Sequence, residues 1–111
     1  KALLGFERIF VGSPRQSAMA LDRLGTLARR LAVAQDAVFA DTHARLQMDL
    51  ADLGALYEVY VDQVRRGQPL GPDVSMLKIF ASELYQRITD TALALADAHG
   101  ALLDPVDVTG S

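Results

Sequence analysis

The chain contains no cysteine and no tryptophan, and aromatic residues make up only 6% of it. Without cysteine there are no disulfides, no thiolate nucleophile and no zinc ribbon, a usage that fits a reducing cytoplasm, where we expect the protein to work. The eight glycines match neither the dinucleotide fingerprint nor the phosphate-binding loop. No apolar run approaches the ~20 residues that cross a bilayer. No basic start followed by an apolar stretch and a cleavage site is visible. Basic residues are also scarce: 11 against 14 acids gives a formal charge of −3, which argues against a nucleic-acid partner. Half of the 111 residues are hydrophobic and 23% are charged, with a mean hydropathy of +0.16. That describes a single folded domain with one core.

The clearest signal is hydrophobic periodicity. A first segment, about Leu3 to Ala34, places Ala20, Leu24, Leu27, Leu31 and Ala34 on one face. Gly12-Ser13-Pro14 interrupts it: either Ser13 caps a fresh helix with Pro14 in its first position, or Pro14 kinks one continuous helix. A second segment, from Asp36 or Asp41 to Arg66, aligns Leu46, Leu50, Leu53, Tyr57, Tyr60 and Val64. Its last turn carries Arg65 and Arg66, where cations suit the helix dipole, and Gly67 reads as the C′ residue. After a short connection, Pro72 opens a third helix along Val74, Leu77, Ala81, Leu84, Ile88 and Leu95, widened by Phe80 and Ala92. Gly100 closes it, and residues 101–111 have no periodic pattern, so they read as loop or frayed tail.

No segment alternates with a period of two. The expectation is an all-α chain, an antiparallel helical bundle of three long helices with the fourth short or missing, in one domain over residues 1–111. Three wide stripes would leave one exposed in an open bundle, so the chain is expected to self-associate or to be part of something larger. The start at Lys1-Ala2 and the end at Gly110-Ser111 favour a piece of a longer chain.

Few residues carry chemistry by spacing alone. His43 and His99 lack ligand partners at helical spacing, and no Glu-x-x-His is present, so no metal site is expected. Asp49 and Asp52 read as a solvated face. The pairs Arg29-Arg30 and Arg65-Arg66 could meet phosphates or simply complement helix ends. Tyr57 and Tyr60 fall on the apolar stripe. Glu7 differs: Leu3-Leu4-Gly5-Phe6 precede it and, after Arg8, Ile9-Phe10-Val11-Gly12 follow. A carboxylate in such company either pairs locally as a surface group or loses water, which raises its pKa toward that of a general base.

Those same residues carry a resemblance. Leu4-Gly5-Phe6-Glu7-Arg8 resembles the Leu-x-x-Glu-Arg run that opens the C-terminal helical domain of acyl-CoA dehydrogenases. Ser75 to Lys78, followed by Glu83 and Gln86, looks like that domain's Ser-x-x-Lys … Glu-x-x-Gln helix. Arg65-Arg66-Gly67-Gln68-Pro69 resembles the connection before it. The likeness extends from about Lys1 to Asp104. It implies a flavoprotein that oxidises acyl-CoA thioesters across the α and β carbons, with FAD as cofactor and oligomers formed through helical faces. In one branch of the family the Glu of this pair is the catalytic base, which matches Glu7. Arg8 matches the supporting arginine.

Departures accompany the likeness. The family's Arg-x-x-Phe-Gly, whose arginine reaches the flavin diphosphate of a neighbouring subunit, is replaced by Gln35-Asp36-Ala37-Val38-Phe39-Ala40. Thr42-His43 stands near the place of a His-Gln pair. At the exit of the third helix, Asp97-Ala98-His99-Gly100 keeps only the last glycine of Gly-Gly-x-Gly. Gly100 is thus the one residue carried over as a cofactor contact. The resemblance implies the C-terminal domain of an acyl-CoA dehydrogenase whose isolated 111 residues are inactive. The alternatives are a degenerate, non-catalytic helical subunit and an unrelated dimerisation module.

Overall fold

The computed structural model describes residues 12–99, in which there are three helices and no strand. Helix α1 spans Arg15–Arg30, α2 Ala37–Arg65 and α3 Val74–Ala98. The all-α expectation holds. Ser13 does serve the start of α1: its Oγ accepts the Arg15 N–H at 3.2 Å, with Pro14 at the N-cap. Asp36, the earlier of the two candidate starts, caps α2 by accepting the Phe39 N–H at 3.1 Å. Regular α3 begins two residues after Pro72. Pro72 belongs to a turn in which Val74, Ser75 and Met76 donate to Gly71, Pro72 and Asp73, three residues back.

Two of the helix ends share one solution. A Schellman closure satisfies the last carbonyls by sending two N–H groups back over a residue in the left-handed conformation. In α2 that residue is Gly67, at φ 74°, with its N–H on Val64 O and the Gln68 N–H on Gln63 O. In α1 it is Ala32, at φ 60°, with its N–H on Arg29 O and the Val33 N–H on Ala28 O. Glycine accepts this backbone freely; alanine holds it against a Cβ–carbonyl clash.

Helix α3 is the shared wall. It packs against both other helices, while α1 and α2 touch each other less. The connection at residues 66–73 turns α3 antiparallel to α2, and the pairing persists down the hairpin. Tyr60 Oη donates to Asp73 Oδ2 at 2.9 Å at one end, and Arg87 Nη1 meets Asp49 Oδ2 at 2.6 Å farther along. Helix α1 starts beside the start of α3: a β-carbon on Gly12 would lie 2.6 Å from Leu77 Cγ. Alanine there would have to displace a core leucine.

The stripes read from the sequence face one another. Leu24, Leu53, Leu77, Leu84 and Ile88 are essentially inaccessible, each worth about 1.5–3 kcal/mol of apolar burial. Leu50, Tyr57, Phe80, Ala92 and Leu95 pack around them half-buried. Leu21, Ala28, Phe39 and Val61 join the core beyond the predicted stripes. No stripe is left uncovered, because α3 presents a face broad enough for both neighbours. The apolar surface that does reach solvent lies elsewhere, at residues such as Met48, Val59, Met76 and Ile79.

Candidate functional site

Glu7, Arg8 and Gly100, the residues singled out for catalysis and cofactor contact, lie outside the described residues. Within them, several of the weighed side chains have structural partners. Asp49 is committed to Arg87, Arg45 to Asp41 at 2.9 Å and Arg66 to Asp62 at 2.9 Å. All these partners are at least one-third exposed, so each pair contributes little, well under about 1 kcal/mol. No cluster of three metal-ligating side chains exists among the described residues. No helix among them is long and apolar enough to cross a membrane.

Tyr60 is a core residue with a polar end. Its ring is buried and its hydroxyl donates to the Asp73 carboxylate. That hydrogen bond holds the phenol proton and raises the Tyr60 pKa above its usual value, helped by burial and by the Asp73 charge. Gln63 Nε2 donates to Pro69 O at 2.7 Å and fastens the same connection. These contacts hold the α2–α3 turn together.

Two concavities flank α2. One, of about 330 Å³, lies between α2 and α3 and is lined by Arg45, Asp49, Arg87 and Asp90 among others. Its charges are already used: Asp90 accepts from Gln86 at 2.9 Å, and the rest are paired as described. The other, of about 270 Å³, lies between α1 and α2 and is lined by Ala18, Leu21, Asp22, Gly25, Arg29, His43 and Gln47. His43 enters it with its ring stacked on Phe39, centroids 5.4 Å apart. Spacing along the chain gives His43 no partner; its neighbours come from α1, and only the folded chain brings them together.

The junction between these helices runs from Leu31 to Asp36. The α1 carbonyls are closed by the Ala32 turn, and the Asp36 carboxylate sits on the α2 N-terminus. Residues 31–44 include no lysine or arginine.

The bundle defines a helical domain, and comparison with known proteins assigns its class. The family model for the acyl-CoA dehydrogenase C-terminal domain matches residues 1–108. The chain belongs to that family. No curated protein and no solved structure matches it. The family is FAD-dependent and forms oligomers. The residues of the α1–α2 junction do not fit a flavin diphosphate. A helix N-terminus attracts phosphate through free N–H groups and its positive dipole. Here the Asp36 carboxylate already accepts from the α2 N-terminus, and residues 31–36 bring no lysine or arginine of their own.

Proposed function

We propose that this chain is the C-terminal helical part of an enzyme that dehydrogenates acyl-CoA thioesters, with Glu7 as the base that takes the α-proton. The family match over residues 1–108 carries this reading. A thioester α-proton is weakly acidic, so its base must be shielded from water, aimed, and helped by hydrogen bonds to the thioester carbonyl. Glu7, set in an apolar run with Arg8 beside it, is the side chain of this sequence suited to that task. The other domains of such an enzyme build the acyl pocket, and the bundle contributes the base and an oligomer contact. On this reading the 111 residues alone have no activity.

A second reading has its own observation. The self-capped junction, whose residues 31–36 include no lysine or arginine, favours a helical subunit that shapes an oligomer and lends nothing to the cofactor. Spectroscopy of the full-length gene product, purified and titrated anaerobically with a panel of acyl-CoA thioesters, separates the two. A flavin band that bleaches in the wild type and persists in Glu7→Gln is the expected result. Bleaching in both moves the base elsewhere, and no flavin band at all leaves the structural subunit.

A further inference from the structure

We draw no further inference here: the strongest candidate, the outward face of α2 on which Met48 and Val59 lie exposed between the Asp41–Arg45 and Asp62–Arg66 pairs, restates as a self-association surface an established property of the family, whose members form oligomers.

Discussion

The two Schellman closures form an internal experiment on one backbone conformation. Ala32 at φ 60° and Gly67 at φ 74° perform the same task at the ends of α1 and α2. An L-residue with a β-carbon pays about 1–2 kcal/mol for the left-handed conformation. Replacing Ala32 by glycine removes that cost but frees the unfolded backbone, which takes back about 0.4–1 kcal/mol. Ala32 is exposed, so no packing is lost. Ala32→Gly should therefore stabilise the chain by about 0.5–1 kcal/mol. Gly67→Ala should destabilise it by a similar amount: nothing lies within 4 Å of the added methyl, so the change is purely conformational. Urea unfolding checks both, with midpoints moving in opposite directions at constant m-value. A lower midpoint for Ala32→Gly, or an unmoved one for Gly67→Ala, would refute the reasoning.

Two further outcomes follow from single side chains. Ser17 is 1% exposed and its Oγ has no hydrogen-bond partner among the described residues. Ser17→Ala removes the stranded hydroxyl and improves helix propensity, so it should gain about 1 kcal/mol, read as a melting midpoint higher by about 4–8 °C; a lower midpoint would mean the hydroxyl has a partner. Tyr60 holds its proton more tightly folded than unfolded. Its contribution is therefore complete below the unfolded value of about 10 and is lost as pH rises through the folded one. Tyr60→Phe should flatten the alkaline loss of stability in denaturant titrations above about pH 10; an unchanged slope would assign that loss to other groups.

The helices were legible because their cores repeat every three or four residues and their ends carry local chemistry. Gly67 reads as a C′ residue since glycine is the residue that left-handed backbone favours. Ala32 performs the same role invisibly, because nothing in an alanine announces a positive φ. Leu21 and Ala28 escape a stripe counted from Ala20, since the buried face of α1 is wider than one row. Pro72 marks the α2–α3 turn correctly but overstates where regular helix starts. The site was less legible for a geometric reason. Arg29 and His43 are separated by a helix end, a turn and a helix start, and no spacing rule joins them. Glu7 and Arg8 draw their assignment from family resemblance, whereas the Asp36 cap is a local pattern that the structure confirms.

Placing α3 between its two predecessors has a consequence for synthesis. The chain emerges from the ribosome at about 5–20 residues per second, and α1 and α2 appear first. They touch each other less than either touches α3, so the leucines of both wait for a wall that has not yet been translated. Until Leu77, Leu84 and Ile88 leave the exit tunnel, the nascent segment carries bare apolar faces and has little to close on. Its folding is thus delayed until the third helix is out, and a chain truncated before α3 presents a chaperone client in place of a domain.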